Sequence, residues 1–233
     1  MGFLIAGHRG AMAHAPENTM RSFRLAAEVG ADEIELDVHL SRDGELVVIH
    51  DETLDRTTDG SGRVADHDWA DLAVLDAGHG ERVPRLAEVL DAFPATGFQV
   101  EVKAPAATAG VLAALAERRD RPGAVVVTSF RADALTPALL PGRWWHVGLI
   151  CARGDAGAVA TASRLGVDRL YLPWDLAGTP AVEAFAAGGG LAFVGPCDDV
   201  DAVRRAIAGG FRGTTADDPA AVLALRDAVL AGT

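Results

Sequence analysis

Short apolar segments alternate with alanine-rich amphipathic segments along the chain, and this rhythm restricts the fold more than any other feature. Strand-length segments followed by helix-length segments predict βα units and a parallel sheet. Eight strand candidates favour a closed (β/α)8 TIM barrel. A doubly wound α/β sheet is the alternative, but no glycine-rich phosphate loop opens a helix. The predicted strands are Phe3–Gly7, Glu33–Leu40, Phe98–Lys103, Ala124–Thr128, Val147–Ile150, Arg169–Leu172, Leu191–Val194 and Gly213–Thr215.

The predicted helices lie between these strands. Thr179 and Asp218 each stand directly before a proline, the arrangement of a capping side chain followed by a proline at the first helical position. The predicted helices are Thr19–Val29, Leu86–Phe93, Thr108–Arg118, Asp155–Leu165, Val182–Ala187, Val200–Ala208 and Ala220–Ala231.

Composition narrows the class of protein. Hydrophobic residues make up 49% of 233 residues, enough for one large core, so we expect a single domain over residues 1–233. A net charge of −12 excludes the basic footprint of a nucleic-acid-binding protein. Cys151 and Cys197 are too isolated for a disulfide framework, and no apolar run has the length of a signal peptide or a membrane span. We therefore expect a cytoplasmic protein without stable membrane association.

One stretch breaks the rhythm. After the second strand, Asp43-Gly44 predicts a type I′ turn, and Leu46–Ile49 returns as the second strand of a hairpin. Residues 51–84 then form a small, polar, glycine-containing insertion. Long excursions in barrels lie on the face of the βα loops, where active sites are built, so we expect this insertion beside the active site.

The segment Glu33–Leu40 alternates between apolar and polar side chains without exception. A barrel strand is normally apolar on both faces, so an acidic face is unusual. An exposed edge strand is the alternative, but an early position in a regular βα series argues against it. Carboxylates on one strand face are about 6.6 Å apart, near enough to converge on one cation. The polar face carries Glu33, Glu35, Asp37 and His39, of which His39 is expected beyond the barrel rim.

A second strand repeats this arrangement. In Phe98–Lys103, Glu101 and Lys103 share one face while valines occupy the other. Together with Glu35 and Asp37, Glu101 supplies carboxylate oxygens only, and this donor set suits Mg²⁺ or Ca²⁺ better than zinc. Lys103 can supply positive charge to an anionic substrate oxygen.

Two histidines stand at strand ends. His8 follows the first strand, and His50 follows the return strand of the hairpin. Catalytic groups of barrels lie at the carboxyl ends of strands. Because imidazole titrates near neutrality, a pair can act as general base and general acid on opposite sides of a phosphorus atom. Arg9, next to His8, adds a planar donor suited to phosphate.

These residues, in this order, carry a family resemblance. The match is specific through about residue 103, and Ser129-Phe130 and Asp217-Asp218-Pro219 extend it along the chain. The motifs that resemble the ordered signature of the glycerophosphodiester phosphodiesterase family are His8-Arg9-Gly10, Pro16-Glu17-Asn18-Thr19, Glu35-x-Asp37, His50-Asp51 and Glu101-x-Lys103.

The resemblance implies a TIM barrel that hydrolyses small glycerophosphodiesters to an alcohol and sn-glycerol 3-phosphate with one divalent cation, Mg²⁺ or Ca²⁺. It also implies a role for each matching residue. The implied metal ligands are Glu35, Asp37 and Glu101, the acid–base pair is His8 and His50, and the phosphate-binding residues are Arg9 and Lys103. Glu17 is either an additional carboxylate of the site or a group that supports the residues of the site from behind.

One departure concerns the pocket wall. Where the family has a Trp-Thr-Val-Asn-like stretch, this chain has Val194-Gly195-Pro196-Cys197. Trp174 is either a replacement for the missing tryptophan or an aromatic residue packed in its loop. Two alternative functions stay open at this point. One is hydrolysis of lysophospholipids in the manner of a phospholipase D, and the other is a catalytically silent barrel that binds phosphorylated ligands.

Overall fold

The computed structural model describes residues 2–232, so Met1 and Thr233 of the predicted domain lie outside the described range. Eight parallel strands of this range form a barrel, and a further short strand pairs with one of them. The strands are β1 (Leu4–Gly7), β2 (Glu33–Leu40), β3 (Leu46–Val48), β4 (Gly97–Val102), β5 (Val125–Ser129), β6 (His146–Ile150), β7 (Arg169–Pro173), β8 (Leu191–Gly195) and β9 (Gly213–Ala216).

The barrel strands follow the order β8-β7-β6-β5-β4-β2-β1-β9. The two strands at the ends of this order, β8 and β9, lie side by side. The backbone N–H of Arg212, just before β9, donates to the carbonyl of Ala192 on β8 (2.7 Å). The predicted (β/α)8 barrel is confirmed, and the doubly wound alternative is wrong. Each predicted strand is present with bounds that differ by at most one residue.

Helices surround the barrel. All seven predicted helices are present, while α2 and α5 were not predicted. α5 is one turn long and runs into a 3₁₀ turn at Thr136–Ala138, so it is too short to show a helical period. The helices within residues 2–232 are α1 (Met20–Glu28), α2 (Trp69–Leu72), α3 (Leu86–Ala92), α4 (Thr108–Ala116), α5 (Ala132–Leu135), α6 (Ala156–Leu165), α7 (Pro180–Ala187), α8 (Val200–Ala208) and α9 (Pro219–Ala231).

The two predicted helix caps differ in outcome. The Asp218 carboxylate accepts a hydrogen bond from Ala221 N (3.0 Å) and caps α9, whereas the Thr179 side chain makes no capping hydrogen bond to α7. α9 packs against β1 and β9, which are the first and the last strand of the chain. None of the helices in the described part of the chain combines the length and the apolar character needed to cross a bilayer.

The hairpin after β2 closes with a different turn from the one predicted. Gly44 N donates to Ser41 O (3.1 Å), and Ser41 N donates to Glu45 O (3.0 Å). A type I′ turn needs two left-handed residues, but only Gly44 has a positive φ here (90°), while Asp43 does not. The turn is therefore longer than the predicted two-residue loop, and its single left-handed position explains the glycine.

The main apolar core lies between the barrel and its helices. On β2 the outward side chains Ile34, Leu36 and Val38 are fully buried in it. The polar side chains of the same strand consequently point into the barrel. At the level of Glu33 the interior is filled by an ion pair, because Arg169 Nη1 lies 2.7 Å from the Glu33 carboxylate and Gln99 donates to it at 2.8 Å.

The segment 51–84 has an apolar core of its own. Its buried side chains pack against those of the hairpin, and it contains a 3₁₀ turn at Val64–Asp66 followed by α2. The segment follows His50 directly, at the carboxyl end of the barrel. The buried residues of this small core are Val47, Ile49, Leu54, Val64, Leu72, Ala77 and Val83.

Candidate active site

Three carboxylates meet inside the barrel near its carboxyl end. Glu35 and Asp37 project from β2, and strand pairing places Asp37 opposite Glu101 of β4. One oxygen of each lies within 4.8 Å of one oxygen of the others, and all three side chains are buried. Like charges held together without water are strongly destabilising unless a cation or a proton compensates them. The cluster is thus built from oxygen donors in the arrangement of a hard-cation site.

Glu35 carries the largest electrostatic consequence of this crowding. Its side chain is only 6% exposed and accepts one hydrogen bond, from the backbone N–H of Arg9 (2.8 Å). Burial raises the pKa of Glu35 to about 8, and the adjacent charge of Asp37 acts in the same direction. Burial likewise raises the pKa of Glu101, although Lys103 opposes this effect. A bound cation would oppose both shifts, because it favours the ionised form of each carboxyl group.

Asp37 is held in its ionised form by two side-chain donors. Asn18 Nδ2 donates to it at 2.7 Å, and Lys103 Nζ lies 2.9 Å from its other oxygen. Arg9 Nε lies 3.5 Å away and makes no hydrogen bond to it. Burial opposes ionisation, but Lys103 and Asn18 outweigh it and hold the pKa of Asp37 below its usual range. The Lys103 ammonium also contacts Glu101 Oε1 (2.8 Å) and so bridges two of the three carboxylates.

The loop that carries Arg9 is bent tightly. Arg9 and Asn18 have positive φ values of 50° and 56°, which are uncommon for residues with a side chain and cost on the order of 1–3 kcal/mol each. Gly10 is required there, because its φ is 89° and an added Cβ would lie 2.3 Å from Ser22 Oγ. The carbonyl of Arg9 accepts from Asn18 N (3.0 Å) and Ser22 Oγ (2.8 Å). These bonds fix the backbone so that Arg9 N reaches Glu35.

His8 is oriented by a residue from the other end of the chain. Its Nδ1 lies 2.6 Å from Asp217 Oδ1. Burial lowers the pKa of His8, but the hydrogen bond to Asp217 and the charge of Glu35 outweigh it, so the pKa lies above its usual value. An ionised carboxylate only accepts, so Nδ1 carries a hydrogen and Nε2 is left for the cleft.

His50 is oriented in the same way by its neighbour. Its Nδ1 lies 2.5 Å from Asp51 Oδ1, and Asp51 is in turn bound by Arg56 at 2.6 and 2.9 Å. Arg56 also binds Glu17, which accepts a hydrogen bond from Arg9 Nη1 (2.8 Å). The pKa of Asp51 is held well below its usual range by the hydrogen bonds from Arg56, so it too is an acceptor. Sequence reasoning singled out neither Arg56 nor this function of Asp51.

His39 lies past the last residue of β2 that pairs with β4, in line with the expected position beyond the barrel rim, but the hairpin buries it there. His39 is 9% exposed, and its Nε2 lies 3.0 Å from the backbone carbonyl of His50. β3 pairs with the end of β2, so the hairpin extends the barrel wall over His39 and carries His50 back to the cleft.

Most of the predicted residues line one cleft of about 240 Å³. Its wall on the side of β5, β6 and β7 is apolar and aromatic, with Phe130, Ile150 and Tyr171. Beyond them, and sharing His8 and Ile150 with the cleft, lies a second cavity of about 330 Å³. The predicted residues that line the cleft are His8, Arg9, Glu35, His50, Glu101 and Lys103.

Trp174 does not line either space. Its ring packs edge-on against Phe211 and beneath the Arg205 guanidinium, and its Nε1 donates to Pro196 O (2.6 Å). Pro196 belongs to the lining of the second cavity, so Trp174 supports this wall from behind. The part of the wall next to Trp174 is formed by Phe193, Gly195 and Pro196.

Comparison with known proteins gives one consistent result. The sequence model of the glycerophosphoryl diester phosphodiesterase family matches residues 8–137. The glycerophosphodiester phosphodiesterase of Caldanaerobacter subterraneus is 33% identical over 97% of this chain and 98% of that protein. A glycerophosphodiester phosphodiesterase of Bacillus subtilis is 38% identical over 57% of this chain and 54% of that protein, about half its length. The structure of an Oleispira antarctica phosphodiesterase in complex with the product sn-glycerol-3-phosphate has a TM-score of 0.86 at 26% identity, covering 96% of both chains.

Proposed function

Because this chain belongs to the glycerophosphoryl diester phosphodiesterase family, we propose that it hydrolyses glycerophosphodiesters to an alcohol and sn-glycerol 3-phosphate. One observation carries the proposal for this chain: buried carboxylates, two oriented histidines and two cationic side chains surround a single cleft. The Oleispira antarctica relative holds sn-glycerol-3-phosphate, the product expected of this reaction.

Glu35, Asp37 and Glu101 are the proposed ligands of one divalent cation. The donor set fits, since all donors are carboxylate oxygens and burial with like charge raises the pKa of Glu35 to about 8. Oxygen-only coordination favours Mg²⁺ or Ca²⁺. When bound, such an ion supplies positive charge to the phosphate oxygens as negative charge builds up on them.

Arg9 and Lys103 are proposed to bind the non-bridging phosphate oxygens. Both are 14% exposed in their side chains and line the cleft. A phosphodiester carries one negative charge that grows during displacement, and fixed donors in a site shielded from water stabilise it most effectively. Lys103 already spans Asp37 and Glu101, so it stands at the boundary between the carboxylates and the phosphate position.

The two histidines divide the proton transfers. Each has Nδ1 fixed on a carboxylate, which leaves Nε2 to exchange a proton with substrate. We assign His8 as the general acid, because its hydrogen bond to Asp217 favours the protonated form against the effect of burial. His50 is then the proposed general base, which takes the proton from the attacking oxygen through Nε2.

The cavity of about 330 Å³ favours a second candidate substrate class. Its walls are largely apolar, with Leu172, Pro173, Phe193 and Pro196, and it opens to the cleft beside His8. An alkyl chain would fit such a wall, so hydrolysis of lysophospholipids is the second candidate. Relative turnover of glycerophosphocholine and lysophosphatidylcholine distinguishes the two. We place either reaction in the cytoplasm, because both cysteines are free thiols.

The test is release of glycerol 3-phosphate from glycerophosphocholine by the purified protein, with Mg²⁺ or Ca²⁺ and then with chelator. Activity should stop on chelation, return with metal, and fall at least about 100-fold in His8→Ala and in Glu101→Ala. His14→Ala is the matched control, since His14 is an exposed histidine paired with Asp218 outside the cleft. Full turnover in either of the first two variants contradicts the proposal. Ligand-dependent stabilisation without turnover across a panel of diesters would favour the silent barrel.

A further inference from the structure

Arg56 is the most highly connected side chain of segment 51–84, and the proposed mechanism gives it no direct contact with substrate. Its guanidinium makes four hydrogen bonds to two carboxylates. Two go to Asp51, from Nε (2.6 Å) and Nη2 (2.9 Å), and two go to Glu17, from Nη1 and Nη2 (2.8 Å each). The fork of a guanidinium matches two carboxylates held in fixed directions, and a lysine ammonium cannot reproduce this geometry.

Each of these carboxylates holds one residue of the cleft. Asp51 binds His50 Nδ1 at 2.5 Å, and Glu17 binds Arg9 Nη1 at 2.8 Å. Glu17 belongs to the loop between β1 and α1, whereas Asp51 follows the hairpin. Arg56 therefore joins two loops that carry His50 and Arg9.

The backbone around Arg56 is anchored independently of the cleft. Leu54 is 1% exposed in the core of segment 51–84, and its carbonyl accepts from Thr58 Oγ1 (2.8 Å). The Arg56 side chain itself is 47% exposed. A bidentate network of this kind can contribute to stability as well as to positioning, so the experiment needs a readout that separates the two.

We propose that Arg56 is a positioning residue. Through Asp51 and Glu17 it fixes the positions of His50 and Arg9 relative to each other and to the phosphate of the substrate. This inference rests on the proposed phosphodiesterase function. It also gives segment 51–84 a purpose, because its core fixes the position of Arg56. A displacement of about 1 Å at a reacting group can reduce turnover by about 100-fold. Loss of the bonds from Arg56 to Asp51 should lower kcat, because Asp51 orients His50. Loss of the bonds from Arg56 to Glu17 should raise KM for the diester, because Glu17 orients Arg9.

Arg42→Ala is the matched control for Arg56→Ala. Arg42 also binds a carboxylate with two bonds, to Asp68 at 2.8 and 2.6 Å, and ties the same segment to the hairpin through Asp66 O. Its side chain is 57% exposed, and it contacts neither His50 nor Arg9. A merely structural contribution to the segment should affect both variants alike.

The experiment measures kcat, KM and the melting temperature of Arg56→Ala, Arg56→Lys and Arg42→Ala with glycerophosphocholine. We expect Arg56→Ala to lose about 100-fold in kcat/KM, Arg56→Lys to lose at least about 10-fold, and Arg42→Ala to stay within about 2-fold of wild type. Millimolar guanidinium should restore part of the activity of Arg56→Ala and none in Arg42→Ala.

Equal losses in the Arg56→Ala and Arg42→Ala variants overturn the inference, as does wild-type kcat/KM in Arg56→Lys. If Arg56→Ala does not fold, the inference is judged from Arg56→Lys alone. This variant keeps the positive charge and loses only the forked geometry of the guanidinium. A wild-type protein without any turnover in this assay refutes the proposed function, and the inference with it.

Discussion

Glu35→Gln in the metal-free protein should raise stability at high pH and leave it almost unchanged at low pH. Glutamine keeps an oxygen that can accept from Arg9 N, so the substitution removes the charge and little else. A carboxyl group whose pKa is higher in the folded than in the unfolded chain takes up a proton on folding. The free energy of unfolding of the wild type therefore falls as pH rises from about 4.5 to about 8, and this loss is absent in the variant.

The magnitude follows from the two pKa values. A pKa of about 8 against 4.5 in the unfolded chain, at about 1.4 kcal/mol for each pH unit, gives a loss of about 5 kcal/mol above pH 8. At pH 5 the difference between variant and wild type should be below about 1 kcal/mol. For a chain of this length, 5 kcal/mol corresponds to a melting temperature higher by roughly 10–20 °C.

Thermal unfolding in chelator at pH 5, 7 and 9 measures this difference. Glu17→Gln is a control for which the change in stability should have the opposite sign. Burial raises the pKa of Glu17, but Arg56 and Arg9 outweigh this effect and lower it. Removing the charge of Glu17 should therefore destabilise the protein. Added Mg²⁺ or Ca²⁺ should stabilise the wild type more than Glu35→Gln. A metal-free Glu35→Gln protein that melts at or below the wild type at pH 9 would refute the reasoning.

Three further predictions concern other parts of the structure. In Asp217→Asn the carboxylate that opposes the effect of burial is lost, so the pKa of His8 should fall. The alkaline limb of the pH profile of kcat/KM should then move to lower pH, and an unmoved limb would contradict the assignment of His8 as the general acid. Arg169→Met leaves the buried Glu33 carboxylate without its cationic partner. The free energy of unfolding, measured in urea, should fall by about 3–5 kcal/mol, and a loss below about 1 kcal/mol would mean that the ion pair contributes little to stability. Ile150→Trp narrows the opening between cleft and cavity, so kcat/KM for glycerophosphoinositol should fall roughly 10-fold more than for glycerophosphoethanolamine, and equal losses would exclude the cavity as a substrate pocket.

The fold and the carboxylate cluster were predictable because their signals are periodic and local. Alternation along Glu33–Leu40 separates the core face from the interior face, and the same alternation recurs around Glu101. Parallel pairing of β2 with β4 then brings Asp37 and Glu101 together without further information. The resemblance to a known family added an expected role for each residue of these motifs.

Contacts between loops could not be read in the same way. Nothing near Arg56 in sequence indicates that it reaches Glu17 as well as Asp51, because the contact depends on how segment 51–84 folds back. Lys103 was expected to face substrate, but its position between two carboxylates depends on the charge balance of the whole cluster. His39 was assigned to the correct face of β2, and its burial follows from the hairpin that covers it.

The bond between His8 and Asp217 spans 209 residues, the length of almost the whole barrel. Bringing such distant segments together carries a large loop-closure cost, which ordering of the intervening βα units reduces. A chain still growing on the ribosome can form the carboxylate cluster once β4 has paired with β2, but its His8 lacks Asp217 until the last strand has been made. During synthesis we therefore expect hydrolysis to begin only when β9 has paired with β1, so that activity reports on completion of the barrel.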